Sequence, residues 1–132
     1  MVAGVNIEPA PTGSSETTKS PTFGPIVVGG TELDTLADST ESAAFSYSNP
    51  SGQTYATVDV LLNPISPTGT PNIQIISGST GYELAITTTA SIARRVRFVD
   101  IPASFLSSFT VKNNSGVALA ASGNVVVITP KY

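Results

Sequence analysis

The sequence contains no cysteine, no histidine and no tryptophan, and these absences exclude several kinds of site. Without histidine there is no Ser-His-Asp or Cys-His nucleophile pair and no imidazole metal ligand. Without cysteine there is no thiolate nucleophile or ligand. The absence of cysteine also fits synthesis in a reducing cytosol. Chemistry is left to carboxylates, hydroxyls and six basic side chains.

Charge is scarce as well. Charged residues make up 11% of the 132 residues, whereas soluble domains usually contain about a quarter. Serine and threonine are abundant, with 17 of each. The mean hydropathy is +0.20, but no apolar run approaches the ~20 residues of a membrane-spanning helix. Residues 1–10 also lack the basic and apolar segments of a secretory signal. We therefore expect a soluble chain with one folded domain.

The few charges are unevenly distributed along the chain. Residues 1–44 carry a net charge of -5, and residues 45–132 carry +2. Residues 1–25 are rich in Pro, Thr, Ser and Gly and have no apolar period, which predicts extended or disordered chain. Two interpretations stay open: these residues are a disordered terminus, or they are an arm that becomes ordered on a neighbouring subunit. The apolar anchor of such an arm would be Phe23, Ile26, Val27 and Val28.

From residue 43 onward, short apolar segments alternate with turn residues. In the clearest segment, Thr54–Leu62, every second residue is apolar on one face, which is typical of a half-buried strand. Strands spaced in this way indicate an antiparallel sandwich or barrel. We expect an all-β, antiparallel, jelly-roll-like β-sandwich from residues 43–132 and an extended arm from residues 1–42. The other predicted strands are 43–48, 72–77, 82–87, 92–100, 109–112, 117–120 and 125–129.

The acidic residues do not form a recognisable metal or catalytic site. Calcium loops place closely spaced oxygen ligands around a glycine turn, and the acidic group before residue 44 lacks that spacing. The acids of the body fall on solvent faces or strand ends instead of forming the carboxylate pair of a glycosidase. We therefore expect no enzyme activity, no metal and no cofactor. The acidic group before residue 44 is Glu32, Asp34, Asp38 and Glu41.

The only basic cluster is Arg94, Arg95 and Arg97. On a strand, Arg95 and Arg97 project to the same face. A sequence pI of ≈ 4.6 argues against nucleic acid as a partner. The cluster either discourages aggregation at a sheet edge or forms salt bridges with an acidic arm of the same or a neighbouring subunit. The candidate partner-binding residues are therefore Phe23, Ile26, Val27, Val28, Arg95 and Arg97.

Three tyrosines, Tyr47, Tyr55 and Tyr82, leave a carbohydrate-binding module as an alternative function, because they would supply a stacking platform for sugars. The sequence has no tryptophan and no polar cluster beside these residues. Packing in the core or in hairpins is the interpretation that we favour.

Residues 94–132 carry an Ile-Pro corner, a strand that ends in Lys-Asn-Asn-Ser-Gly, and Ala-Leu-Ala-Ala-Ser-Gly-Asn before a final β-branched strand. This stretch resembles a group of small tailed-bacteriophage virion proteins. The matching positions are Pro102, Lys112, Asn113, Asn114, Gly116, Leu119, Ala120, Ser122, Gly123 and Asn124.

The resemblance implies a structural part of a phage particle, made in the host cytoplasm and located in the virion. Within that class, a capsid decoration (cement) protein that binds and stabilises the assembled head is the first expectation. A tail or neck component is the alternative. The implied partners are the major capsid protein or other virion subunits and further copies of the chain, with a trimer expected, and neither nucleic acid nor a membrane.

Overall fold

The computed structural model describes residues 24–50, 52–86 and 92–131. These residues form eight β-strands and two short 3-10 helices, Thr31–Leu33 and Phe105–Ser107, and no α-helix forms among them. None of the helices in these ranges has the length and apolarity needed to span a membrane. The strands are β1 Ile26–Gly29, β2 Thr40–Glu41, β3 Tyr55–Ile65, β4 Asn72–Ser77, β5 Thr80–Ala85, β6 Ile92–Pro102, β7 Thr110–Asn114 and β8 Val125–Pro130.

The strands form two antiparallel sheets of four strands each. Sheet A has the order β1-β8-β3-β6, and sheet B has the order β2-β7-β4-β5. The pairs β1·β8, β2·β7, β3·β6 and β4·β5 are those of one long folded hairpin. The hairpin is rolled up so that β3 also pairs with β8 and β4 with β7. This connectivity is that of a jelly roll, and it confirms the predicted all-β, jelly-roll-like sandwich.

The core lies between the two sheets and follows the predicted alternation. Ala56, Val58, Val60 and Leu62 of β3 are all buried. They face the buried side chains of sheet B, and a stacked pair of rings, Phe45 and Phe109, closes part of the core with centroids 5.5 Å apart. One side of each strand therefore supplies the core, and the other side supplies the surface.

Part of the segment predicted as an arm, residues 1–42, belongs to the folded domain. Ile26–Gly29 forms β1 and pairs with β8, and Thr40–Glu41 forms β2 and pairs with β7. Leu33, in the 3-10 helix between them, is fully buried. These strands have only four and two residues, so their local sequence signal is weak, and their pairing depends on partners far along the chain. Residues 1–23 lie outside the described residues, and their role as an arm stays a prediction.

Two further strand predictions are corrected. The predicted strand 43–48 is reduced to a single bridge between Phe45 and Phe109. The prediction of a strand over 117–120 is wrong, because that segment is irregular. Its apolar side chains still pack on the core, but its backbone bonds to a different loop: the Leu119 amide donates to the Leu36 carbonyl at 2.9 Å.

Candidate functional site

The side of sheet A that faces away from the core, which we call the outer face of sheet A, carries a row of apolar side chains among charged and hydroxyl ones. Strand register places Val127 opposite Val27 on one side and Asp59 on the other. Leu61 lies between Val125 and Arg95. Because alternate residues of a strand point to opposite sides of the sheet, these side chains share the outer face. Its members are Val27, Thr57, Asp59, Leu61, Arg95, Arg97, Val99, Val125, Val127 and Thr129.

The corresponding side of sheet B is polar. Glu41, Lys112, Gln74 and Glu83 follow one another across the four strands of that sheet. They are also linked to polar neighbours: the Gln74 amide donates to Glu83 Oε1 at 3.1 Å, and the Thr110 hydroxyl donates to Glu41 Oε1 at 2.7 Å. A solvated sheet face ordinarily has this composition. The contrast marks the outer face of sheet A as the surface suited to a partner.

Two of the three charges within the outer face of sheet A neutralise each other. Arg97 forms a bidentate salt bridge with Asp59: Nε donates to Oδ1 at 2.8 Å, and Nη2 donates to Oδ2 at 3.1 Å. Asp59 is buried at 6% exposure, and its hydrogen bond raises the pKa of Arg97. Arg97 is thus engaged inside its own sheet. Arg95, which is exposed on the same side, has no carboxylate partner among the described residues.

The four predicted anchor residues are not equivalent. Ile26 and Val28 pack against the core of their own chain. Val27 points outward and is 66% exposed. Phe23 lies outside the described residues. Of the anchor positions that the structure describes, only Val27 is exposed.

The acidic group before residue 44 serves the sandwich itself. Asp34 Oδ1 accepts from the Asn124 amide at 2.9 Å, and Asp38 Oδ1 accepts from the Gly116 amide nitrogen at 2.8 Å. Glu32 bonds the nearby Gly30 amide nitrogen at 3.0 Å. In the described ranges, no group of three or more acids is arranged to hold a metal ion. Sequence reasoning missed these roles, because Asn124 and Gly116 lie 90 and 78 residues from their acidic partners.

The three tyrosines lie in different environments. Tyr47 is buried in the core, Tyr55 is 36% exposed on sheet A, and Tyr82 packs edge-on against Phe105 with centroids 5.1 Å apart. They do not form a shared stacking platform. Tyr47 also lines an open cavity of about 530 Å³ with Asn49, Gln53, Thr54, Ser104 and Ser107.

The hydroxyl of Tyr47 is buried and has no hydrogen-bond partner within the described part of the chain. Burial also raises the pKa of this phenol, because the charged form is poorly solvated there. Tyr47 therefore remains a neutral, unpaired hydroxyl at physiological pH.

No protein-family model matches the chain, and no curated protein sequence matches it.

Proposed function

We propose that the protein is a structural component of a bacteriophage virion, a decoration (cement) protein that binds the assembled head and reinforces it. Its partners are the major capsid protein or other virion subunits, and further copies of itself. The observation that carries this proposal is the difference between the two outer faces. Val27, Val127, Val125 and Leu61 form a contiguous apolar row across three strands of sheet A. Exposed apolar side chains that cluster in this way favour a binding site for another protein, and the polar side of sheet B suits contact with solvent.

The composition of the outer face of sheet A fits a protein partner better than a charged ligand. Its central charges, Asp59 and Arg97, are paired with each other. Its remaining central side chains are Leu61, Val125 and Val127, which are half-buried even in the single chain. Arg95, opposite Leu61 on β6, is the one charge of this face without a carboxylate partner among the described residues. Binding therefore requires the desolvation of at most that one unpaired charge, and the burial of apolar surface supplies the driving force.

The C-terminal resemblance supports the same class of protein through the scaffold. Asn113, Gly116 and Asn124 are among the matching positions, and each one shapes the connection between β7 and β8. Asn113 is fully buried, and Gly116 has a φ of 87° that favours glycine. Asn124 accepts from the Asn63 amide nitrogen at 3.1 Å. The likeness is therefore one of scaffold residues.

A tail or neck component would use the same surface on a different part of the particle. Cryo-electron microscopy of the particle distinguishes the two, because density for this chain would appear on the head or on the tail. The separated tyrosines give no support to the carbohydrate-binding alternative.

The proposal is tested with a matched pair of substitutions on the two outer faces. Leu61→Gln removes the central apolar side chain from sheet A, and Ile76→Gln makes the same kind of change on the outward side of sheet B. In co-sedimentation with purified heads that lack this protein, we expect Leu61→Gln to weaken binding at least about tenfold, which corresponds to ~1.4 kcal/mol. Ile76→Gln should bind like the unaltered protein. Equal binding by all three, or no binding by the unaltered protein, would contradict the proposal.

A further inference from the structure

The apolar row on the outer face of sheet A ends beside an unpaired guanidinium. Arg95 lies on β6 opposite Leu61, the last member of the row, and its side chain is exposed. Arg97 points to the same side of β6 but is already paired with Asp59. Arg95 has no carboxylate partner among the described residues. A partner that covers the row therefore meets one free positive charge at its margin.

The acids of the described chain are all engaged elsewhere. The sequence has nine Asp and Glu residues. Each acid in the described ranges accepts a hydrogen bond from a group other than Arg95. These acids are Glu32, Asp34, Asp38, Glu41, Asp59, Glu83 and Asp100. The other two, Glu8 and Glu16, precede residue 24. The described sandwich therefore supplies no carboxylate for Arg95.

Burial of the outer face of sheet A against a partner removes water from Arg95. A desolvated charge without a counter-charge is costly, and a carboxylate that accepts two hydrogen bonds from the guanidinium offsets that cost. Arginine is suited to such a pair, because its planar donors match the two carboxylate oxygens. The outer face of sheet A therefore fits an apolar protein surface that carries one acidic side chain at its margin.

We propose that the head subunit covering the outer face of sheet A carries an Asp or Glu whose carboxylate pairs with Arg95. This inference rests on the proposed function and names the chemistry of its partner. The apolar row supplies the buried area, and the ion pair at its margin fixes the orientation of the domain on the head. The same face of a second copy does not supply the carboxylate, because the acid placed there, Asp59, is 6% exposed and paired with Arg97.

Substitutions at Arg95 test the ion pair. Arg95→Met keeps a long side chain and removes its charge, and Arg95→Glu reverses the charge. In co-sedimentation with purified heads that lack this protein, we expect Arg95→Met to weaken binding at least about tenfold and Arg95→Glu to weaken it further. Lys112→Met and Lys112→Glu make the same changes on the outward side of sheet B, and they should bind like the unaltered protein. Equal thermal midpoints show that all four variants remain folded.

Failure of the ion pair is distinguishable from failure of the proposed function. If Leu61→Gln loses binding while Arg95→Met binds as tightly as the unaltered protein or more tightly, the proposed function stands and the ion pair is overturned. If the unaltered protein does not bind heads, both are overturned. Glu8→Gln combined with Glu16→Gln should bind like the unaltered protein. A loss equal to that of Arg95→Met would place the carboxylate in this chain and would overturn the ion pair with a head subunit.

A carbodiimide cross-link identifies the acidic residue directly. Arg95→Lys keeps the positive charge and supplies a primary amine. The amine attacks a carbodiimide-activated carboxylate in contact with it, forms an amide bond and releases the urea. In the complex with heads, mass spectrometry should find this position joined to an Asp or Glu of a head subunit, and Lys112 should remain unjoined to head subunits. Cross-linking of the two positions to the same extent, or of neither, overturns the inference.

Discussion

At the scale of single residues, the buried hydroxyl of Tyr47 lowers the stability of the core. Its ring is buried with the other apolar side chains, but its hydroxyl has no partner among the described residues. A buried polar group without a hydrogen bond costs about 1–3 kcal/mol. The ring therefore stabilises the core while the hydroxyl opposes it.

Tyr47→Phe should leave stability unchanged or raise it by up to about 1 kcal/mol, because it removes the unpaired hydroxyl and keeps the ring. Urea unfolding at pH 7 measures this change. Tyr82→Phe is the control, since its ring contact with Phe105 is retained and the expected change is within about 0.5 kcal/mol. A loss of more than about 1 kcal/mol in Tyr47→Phe would indicate that the hydroxyl has a partner.

The buried phenol of Tyr47 also makes the folding stability depend on pH. Burial raises the pKa of Tyr47 in the folded state, whereas the unfolded chain ionises near the ordinary value of about 10. The unfolded state therefore releases this proton first as the pH rises, and stability falls above about pH 10. Tyr47→Phe lacks this contribution, so its advantage in thermal midpoint should be larger at pH 11 than at pH 8. A constant difference would contradict the raised pKa.

At the scale of elements, Asn113 joins β7 to two loops. Its amide donates to the carbonyls of Leu36 and Val117 at 2.9 and 2.8 Å, and its oxygen accepts from the Ser115 amide nitrogen at 2.9 Å. One side chain thus satisfies backbone groups on both sides of β7. The irregular path of residues 115–120 depends on it.

Asn113→Ala should destabilise the protein by about 3 kcal/mol or more, because it leaves buried backbone groups without partners and opens a cavity. Asn114→Ala is the matched control. Asn114 is half-buried and its side-chain amide donates to Asn72 Oδ1 at 3.1 Å, so a loss of about 1 kcal/mol or less is expected. Chemical denaturation of both variants gives the comparison. Similar losses at the two positions would show that the three bonds of Asn113 are not the source of its importance.

Sequence patterns predicted those elements whose signal is local. The alternation in β3 and the hairpin of β4 and β5 could be predicted in this way, because each repeats over six residues or more. The strands β1 and β2 could not, because they are short and depend on β8 and β7 for their partners. Residues 117–120 have an apolar, strand-like composition, but their backbone bonds go to the loop around Leu36.

The candidate site likewise has features that the sequence could predict and features that it could not. The shared direction of Arg95 and Arg97 could be predicted from the sequence. The outward direction of Val27 could not, because the sequence pattern did not distinguish it from the other three anchor residues. The apolar outer face could not, because its members come from four strands whose register is set by tertiary pairing. The partner of Arg97 was also missed: Asp59 lies 38 residues away and meets it only across the β3·β6 pair.

At the scale of the whole molecule, the fold changes the meaning of the charge distribution. Four of the six acids in residues 1–44 belong to the sandwich, where they bond loops and strands. The segment before Gly24 holds only Glu8 and Glu16 against Lys19. The segment before Gly24 therefore has a net charge of only -1, so its electrostatic attraction to the basic body is weak.

The boundary between arm and domain is tested by two truncations. The buried apolar residues of the described chain run from Leu33 to Ile128, so a protein of residues 24–132 should unfold cooperatively, with a midpoint within about 3 °C of the full chain. A protein of residues 43–132, cut at the predicted boundary, loses β1, β2 and Leu33. Removing a buried leucine side chain alone costs about 2–5 kcal/mol, and typical domains are stable by only about 5–15 kcal/mol. This shorter chain should show no cooperative transition in circular dichroism. A folded 43–132 chain would mean that the two N-terminal strands are dispensable, and an unfolded 24–132 chain would mean that the core depends on residues 1–23.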